Sequence, residues 1–373
     1  MLPWALAASL LWALILLLPW RPWATRERLT LAPDGATARL DDTLALIPAR
    51  DEAHHLPVTL AALAAQGEGL RVVLVDDQSR DATAEVAAAA GLSDLVVVHG
   101  RPLASGWSGK VWAQHQGEAW LNRPYTLLLD ADVELAPGTV SALRGMLDRR
   151  GAALASVLAA PHLASRWEYL LMPAFVFFFK LLYPFALAND PRSRVAAAAG
   201  GCVLLRTDAL RRAGGFKALR DALIDDCTLA GLVKSQGFRI WIGLSLAARS
   251  RRSYPRLGAI WRMVARTAFT QLRYSLAWLL LCMALMVVAF VIPPAALLVG
   301  GDLARVLGLS ALLLALAAYL PTLRYYRVAA PWVLGLPIAG ALFLAMTWGS
   351  AIGYWRGRRS AWRGRDYATQ SSP

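Results

Sequence analysis

The chain has 373 residues, enough for two or three domains at roughly 150 residues each. Hydrophobic residues make up 57% and charged residues 17%, against about 45–50% and about 25% in an ordinary soluble domain. That balance argues against a purely soluble enzyme and against disorder, while the charge is too high for an all-membrane bundle. The formal net charge is +14; four of the basic residues are Lys (Lys110, Lys180, Lys217, Lys234) and the other 35 are Arg. In so apolar a chain the excess points to anionic lipid rather than nucleic acid.

In chain order, Leu2–Trp20 comes first: 19 residues without a charge, followed by Arg21, Arg26, Glu27 and Arg28. No basic residue precedes the run and no small-residue cleavage site ends it, so residues 1–21 read as an uncleaved anchor. The basic flank places the chain from Arg21 onward in the cytoplasm.

Residues 40–250 alternate short apolar runs with helical patterns. Thr43–Ile47 precedes a helical Leu56–Ala65, and Arg71–Val75 precedes Ala82–Ala90. Leu95–Val98 precedes Gly109–Trp120, and Tyr125–Leu129 precedes Pro137–Leu147. This rhythm predicts an α/β domain on a parallel sheet with right-handed crossovers, its ligands at the carboxyl ends of the strands. Within it, Tyr169–Asn189 is apolar but broken by Pro173, Lys180 and Pro184. A span there would separate the motifs before and after it by a bilayer, so an interfacial or membrane-dipping segment is expected.

Arg249–Arg273 then holds seven Arg and no acid, with Ile260, Trp261, Val264, Ala268 and Leu272 at helical spacing. Residues 251–273 therefore read as a basic amphipathic helix lying on anionic lipid. No nucleic-acid motif accompanies these charges, so no nucleic-acid partner is expected. Residues 274–355 contain three uncharged runs, Tyr274–Gly301, Val306–Leu323 and Val328–Trp355, each long enough to span. Three full spans would put the tail 356–373 outside the cytoplasm. Its Arg356, Arg358, Arg359, Arg363 and Arg365 conflict with that placement. Pro293-Pro294 marks a candidate break.

The residues just after the apolar runs are acidic. Pro48-Ala49-Arg50-Asp51-Glu52 follows the first strand, Asp76-Asp77-Gln78-Ser79-Arg80-Asp81 the second, and Asp130-Ala131-Asp132 the fourth. Asp76, Asp77 and Asp81 singly could be turn and cap residues. Three acidic clusters at one sheet edge repel one another unless a cation sits among them. The D-x-D pair can hold a hard divalent cation, Mn²⁺ or Mg²⁺, with positions left for diphosphate oxygens.

These motifs, in this order, resemble a family 2 glycosyltransferase with a GT-A fold. IPARDE is similar to that family's P-A-R-N-E, and VDDQSRD to its V-D-D-x-S-x-D. GWSGKVWAQHQG is similar to its G-K-x-x-A-x-N-x-G, with His115 where Asn is usual. LLLDAD resembles its D-x-D, and GGCVLLRTDALRRAGGF its G-x-x-x-x-x-R-x-x-x-L-x-x-x-G-G-F. IDDCTLA resembles T-E-D-x-x-L-A, placing Asp225 at the Glu and Asp226 at the Asp. The likeness runs from about residue 43 to 275. The anchor and C-terminal runs make the layout most similar to the hopanoid-associated glycosyltransferases and, more distantly, to ceramide glucosyltransferases.

The resemblance implies a nucleotide-sugar donor, a lipid acceptor, and a multi-pass protein of the bacterial plasma membrane with its catalytic domain in the cytoplasm. It implies that Pro48, Arg50 and Glu52 line the base and ribose pocket. One of Asp76 and Asp77 would bond the base while the other caps a helix. Lys110 would approach the diphosphate, and Asp130 and Asp132 would hold the metal. Asp226 would be the general base of an inverting transfer, with Asp225 orienting it. The family's processive signature Q-x-x-R-W has only an imperfect counterpart, Gln271-Leu272-Arg273-Tyr274, which favours transfer of a single sugar. The tail Trp362-Arg363-Gly364-Arg365-Asp366-Tyr367 resembles a cytosolic W-K-G-R-x-Y of membrane relatives. Three readings stay open beside this one. A sugar nucleotidyltransferase would need a Gly-rich loop, which IPARDEAHH lacks. A non-catalytic scaffold has no reason to keep Asp130, Asp132 and Asp226. A polyprenyl-phosphate acceptor fits the same fold. His54, His55, His99, His115 and His162 are scattered or lack zinc spacing, and Cys202, Cys227 and Cys282 read as reduced thiols.

Overall fold

The computed structural model describes residues 1–31, 39–362 and 365–368. The chain opens on α1 (Leu2–Leu17), 16 residues that end where Pro19 forces Leu18 into an extended conformation (φ −53°, ψ 128°). The helix is therefore shorter than the expected 1–21 anchor. Beyond it, Leu29 donates its N–H to Leu244 O (2.9 Å) and Leu244 donates to Glu27 O (2.8 Å), tying the exit from α1 to a sheet edge.

The α/β part runs β1 (Thr43–Ala49), α2 (Leu56–Ala64), β2 (Arg71–Asp76), α3 (Thr83–Ala88), β3 (Leu95–His99) and α4 (Gly109–Gln116). It continues through β4 (Tyr125–Leu129), β5 (Val133–Leu135), α5 (Thr139–Arg150), β6 (Ala152–Ala160), α6 (Arg166–Leu182) and α7 (Phe185–Asn189). It closes with β7 (Cys202–Arg206), α8 (Thr207–Arg212), α9 (Asp225–Ser235) and β8 (Arg239–Ser250). Eight strands form one sheet in the order β3-β2-β1-β4-β7-β6-β8-β5. β1 to β4 pair in parallel, as the alternation predicts. β7 runs antiparallel to both β4 and β6, and β5 antiparallel to β8, so the sheet is mixed rather than wholly parallel. The second half gives little signal in the sequence because β6, AALASVLAA, is rich in Ala, a residue depleted in strands.

Every residue of β1 is buried, as a central strand covered on both faces requires. Ala45 and Ile47 face a core with Leu56, Leu60, Val140 and Leu143 of α2 and α5. Leu44 and Leu46 face the opposite core with Val111 of α4 and Leu229 and Val233 of α9. This period-two alternation fixes the register, and with it every residue at the strand ends.

The remaining elements are α10 (Leu257–Ala265), α11 (Ala268–Gln271), α12 (Leu276–Met286), α13 (Ile292–Val299), α14 (Asp302–Tyr325), α15 (Leu336–Trp355) and the hairpin β9 (Arg358–Trp362) with β10 (Arg365–Ala368). Arg363 and Gly364 of the tail motif lie outside the described residues. Three helices are long and apolar enough to cross a membrane: Leu276–Val299, Asp302–Tyr325 and Ala330–Trp355. A π-helical turn, Val287–Val291, joins α12 to α13 just before Pro293-Pro294. Pro293 has no N–H for the carbonyl four residues back, Ala289. The Trp12 indole N–H of α1 donates to that oxygen instead (3.0 Å), so the proline break becomes an interhelical contact.

α6 begins with a capping box in which Ser165 and Glu168 bond each other's backbone N–H. Its far end is held by Lys180, whose buried ammonium donates to Trp23 O, Ala24 O and Thr322 Oγ1. α15 starts beside Leu170 of α6 and passes Phe175 and Phe178. It ends with Ser350 donating to Ala265 O and Tyr354 stacked on Tyr274 at 4.4 Å. It thus runs along α6, α10 and α11 towards the start of α12.

Candidate active site

The loops after β1 and β2 are knitted together. Asp51 and Gln78 take left-handed φ of 53° and 57°. Asp51 Oδ1 accepts from Arg80 N–H (2.8 Å), and Ser79 Oγ accepts from Asp51 N–H (3.0 Å). The Arg50 guanidinium is buried and donates to Asp77 O (2.5 Å) and Gln78 O (2.9 Å), so it braces the turn. Pro48 is buried in β1, paired with Val75. Asp76 accepts from Ser79 N–H (3.1 Å) at the mouth of this loop, and Asp77 is buried behind it. Neither Asp76 nor Asp77 caps α3. That task falls to Asp81, which accepts from Thr83 N–H (3.1 Å) and Ala53 N–H (3.1 Å).

Lys110 stands in the first turn of α4, an unfavourable place for a cation. It is held there by acids from other elements. Its ammonium lies 2.8 Å from Asp130 Oδ1 at the end of β4 and 3.6 Å from Asp225 Oδ2 at the head of α9, and it donates to Gly200 O (3.2 Å). Burial works against the charge, but Asp130, Asp225 and Asp226 outweigh it and raise the Lys110 pKa far above its ordinary value.

Gly200 bridges this cation to the expected base. Its N–H donates to Asp226 Oδ2 (2.7 Å) while its carbonyl accepts from Lys110. A Cβ there would stand 3.0 Å from Lys110 Nζ and 3.1 Å from Asp226 Oδ2, so only glycine fits without displacing the pair. Asp226 Oδ1 accepts from Cys227 N–H (2.7 Å) in the first turn of α9. Burial, then the neighbouring Asp225 charge, push the Asp226 carboxyl up to about 6, against Lys110 and the two backbone N–H groups. That value lies where a general base works near neutral pH.

Asp132 is paired with a second cation. Arg252, in the loop after β8, pairs with Asp132 Oδ2 and, at 2.7 Å, with Glu52 Oε1. Burial raises the Asp132 pKa although Arg252 opposes it. The Arg252 loop is pinned by the buried Glu168, which accepts from Tyr254 N–H (2.5 Å) and Ser253 Oγ (3.1 Å). Burial pushes the Glu168 carboxyl up, but the N–H groups of Ser165, Tyr254 and Ala164 hold it down to about 2. By sequence Arg252 belongs to the lipid-facing basic segment, and Glu168 is marked only as the capping-box partner of Ser165, with nothing to point to the Arg252 loop. β8 does not read as a strand, so nothing in the sequence marks the residues at its end.

Among the described residues no three Asp, Glu, His or Cys side chains converge as a metal cage. A diphosphate-bound divalent ion needs only one or two carboxylates, the phosphates completing its shell. Asp130, with its side chain 35% exposed, suits that arrangement. Asp132, 10% exposed, would share it only as Arg252 yields.

Arg273 follows α11 by two residues. It and Tyr274 take left-handed φ of 53° and 56°, and the Arg273 side chain is exposed. His115 pairs with Glu118 (2.8 Å) and stacks on Trp107 (4.6 Å) outside the acid cluster. On the side of Asp226 away from Lys110, the Cys227 thiol faces Tyr183, and the Tyr183 hydroxyl donates to Gln271 Oε1 (2.8 Å).

With this geometry in place, the comparisons with known proteins are specific. Residues 45–214 match the family described as Glycosyl transferase family 2. That stretch, somewhat under half of the chain, is thus similar to family 2 glycosyltransferases. The chain is 34% identical over 90 residues to the 4,4'-diaponeurosporenoate glycosyltransferase of Staphylococcus haemolyticus (strain JCSC1435), covering 24% of each chain. It is 33% identical over 129 residues to an uncharacterised glycosyltransferase of Mycobacterium tuberculosis (strain ATCC 25618 / H37Rv), covering 35% of this chain and 54% of the relative. The chain thus spans about a quarter and about half of these two relatives. In fold it is similar to the mannosyltransferase PcManGT from Pyrobaculum calidifontis, solved in complex with GDP-Man and Mn²⁺, with a TM-score of 0.55. That match covers 91% of this chain and 99% of the other at 19% identity. The sheet is therefore a GT-A-like mixed α/β sheet, here joined to apolar helices.

Proposed function

We propose that the protein transfers one sugar from a nucleoside-diphosphate sugar, with inversion, to a hydroxyl of a membrane lipid. A hopanoid is the acceptor the family resemblance favours. The observation that carries this reading is Asp226, tuned to about 6 and joined through Gly200 to a cation held among acids.

In this mechanism the ionised Asp226 takes the proton of the acceptor hydroxyl. The oxygen attacks the anomeric carbon opposite the leaving group, and the bond to the nucleoside diphosphate breaks with its electron pair leaving on phosphate oxygen. Asp225 keeps Lys110 in place and tunes Asp226, while Lys110 stands where a diphosphate would meet it. Pro48, Arg50, Glu52, Asp76 and Asp77 shape the pocket for base and ribose, Arg50 by bracing the turn. Asp130 and Asp132 would hold Mn²⁺ or Mg²⁺, which when bound neutralises charge on the departing diphosphate.

The membrane arrangement is part of the proposal. Both ends of α6 contact elements of the catalytic side, the Ser253–Tyr254 loop at one end and Gln271 at the other, which supports an interfacial helix. α15 ends against α10, α11 and Tyr274, which supports a shallow or re-entrant course that keeps the Arg-rich tail on the cytoplasmic face of the bacterial plasma membrane. The test is a donor screen with purified protein in vesicles, using nucleotide sugars with Mn²⁺ or Mg²⁺ and reading released nucleoside diphosphate. Release from one donor, dependent on a lipid alcohol, is the expected result. No release from any donor would leave the scaffold reading standing.

A further inference from the structure

Asp226 lies between two unlike walls. Towards Lys110, Asp130 and Asp225 every side chain is charged. Towards the membrane helices the neighbours are neutral: the Cys227 thiol, the Tyr183 ring and, bonded to its hydroxyl, the Gln271 amide. Tyr183 is the last residue before Pro184 breaks the chain between α6 and α7, and Gln271 closes α11. Leu182 beside Tyr183 is 53% exposed, and Leu276 and Trp278, just beyond Gln271, are 53% and 56% exposed. Exposed apolar side chains thus flank the Tyr183–Gln271 pair in the chain, and Tyr183 in turn touches Cys227 next to Asp226.

We propose that Tyr183 and Gln271 are the acceptor-binding residues, and that they select a neutral lipid alcohol over a lipid phosphate. This rests on the transferase reading above. Gln271 presents its carbonyl oxygen to Tyr183, which leaves its amide N–H groups to donate to an incoming hydroxyl oxygen. That hydroxyl then directs its own proton at Asp226. A lipid phosphate would bring a negative charge towards Asp225 and Asp226 with no cation at these two positions to receive it. Cys227 fills the floor of the passage as a small, weakly polar side chain. It is no nucleophile, because burial and then the Asp226 charge raise its pKa and keep it a thiol.

The test uses the full-length protein in phosphatidylglycerol–phosphatidylethanolamine vesicles, with the active donor, and two probes that differ only in head group, dodecanol and dodecyl phosphate. The readouts are donor Kd and the ratio of nucleoside diphosphate released with a probe to that released without it. In the parent, dodecanol should raise the release ratio more than dodecyl phosphate does. Tyr183→Phe should cut the dodecanol ratio about tenfold, the loss of one hydrogen bond, with donor Kd within about twofold of the parent by the same reasoning. An unchanged ratio in Tyr183→Phe, a preference for dodecyl phosphate, or indifference to both probes in a parent that binds and hydrolyses donor would overturn the proposal. A parent that neither binds nor hydrolyses any donor would instead overturn the transferase reading itself.

Discussion

On one side of Asp226 stand Lys110, Asp130 and Asp225, supplied by the ends of strands and the heads of helices in the sheet domain. On the other stand Cys227, Tyr183 and Gln271, two of them supplied by helices that pack against the apolar bundle. The charged wall is rigid because sheet register sets it: Asp130 follows β4, whose Leu127, Leu128 and Leu129 are buried and cannot slip. The neutral wall depends on how α6 sits against α14 and the segment after α1, through Lys180, and how α11 sits against α15, through Ser350. In the proposed transfer, a donor with fixed charges would meet the rigid wall, and a lipid would meet the wall placed by the apolar helices.

The largest break in this comparison comes from the residue both walls share. Asp226→Asn keeps the shape and one of the two bonds accepted from the Gly200 and Cys227 N–H groups, but it cannot take a proton, so turnover should fall by about 10²–10⁴-fold. Donor binding should persist, because Asp226 lies beyond Lys110 from Asp130. Loss of donor affinity, measured by isothermal titration, would move Asp226 to the donor wall. Next in size, Asp132→Asn should release Arg252 from one of its two carboxylates and remove a ligand for a hard cation. Metal-dependent donor binding should weaken about tenfold or more, as expected for losing one such ligand. Full activity in excess EDTA would rule out the metal role of both Asp130 and Asp132.

A smaller effect separates the walls structurally. Glu168 is fully buried and holds the Arg252 loop against α6, so it couples the charged wall to that helix. Glu168→Gln leaves a neutral group facing the N–H groups of Ser165, Ala164 and Tyr254, and should cost about 1–3 kcal/mol of stability. Its carboxyl, held down to about 2, gives stability that is present above the ordinary Glu value and lost as pH falls towards about 2. Thermal melts of parent and variant should therefore differ most near neutral pH and converge in acid. Equal shifts at every pH would mean the loop is held by other contacts.

Asp130 is legible in the sequence because it follows an apolar run whose end the sheet brings to the cleft. Lys110, Asp225 and Asp226 open helices instead, and it is the motif resemblance that marks them. At Arg273 and Tyr274 the backbone takes a left-handed turn that sequence patterning does not announce, and the Arg273 side chain is exposed. Arg252 and the link from Glu168 to its loop are hidden because β6 and β8 do not read as strands, β6 being rich in Ala and β8 interrupted by Gly243 and Ser245. Tyr183 is hidden for a different reason. Nothing local marks it, and only the packing of α6, held by Lys180 at three oxygens, delivers it to Asp226.

The finest test of the two-wall picture is a shift in pH rather than a loss. Burial, and next Asp225, push the Asp226 carboxyl up to about 6, while Lys110 pulls it down. As a base it must be ionised, so turnover should rise with pH through about 6 and level off above it. The same raised value works against stability. Between the ordinary carboxylate pKa and about 6 the unfolded chain releases this proton while the folded protein keeps it, so stability from this group falls as pH rises through that window. Asp225→Asn removes the like charge and leaves Lys110 to act on Asp226 and Asp130 alone. The Asp226 carboxyl should fall towards its ordinary range, and the acid limb of the kcat profile should move to lower pH with little change in the plateau. Tyr183→Phe, on the neutral wall, should leave that limb where it is. If Asp225→Asn lowers the plateau without moving the limb, Asp225 holds Lys110 for the donor and does not tune the base. If Tyr183→Phe moves the limb, the neutral wall also governs the proton, and the two walls are one site.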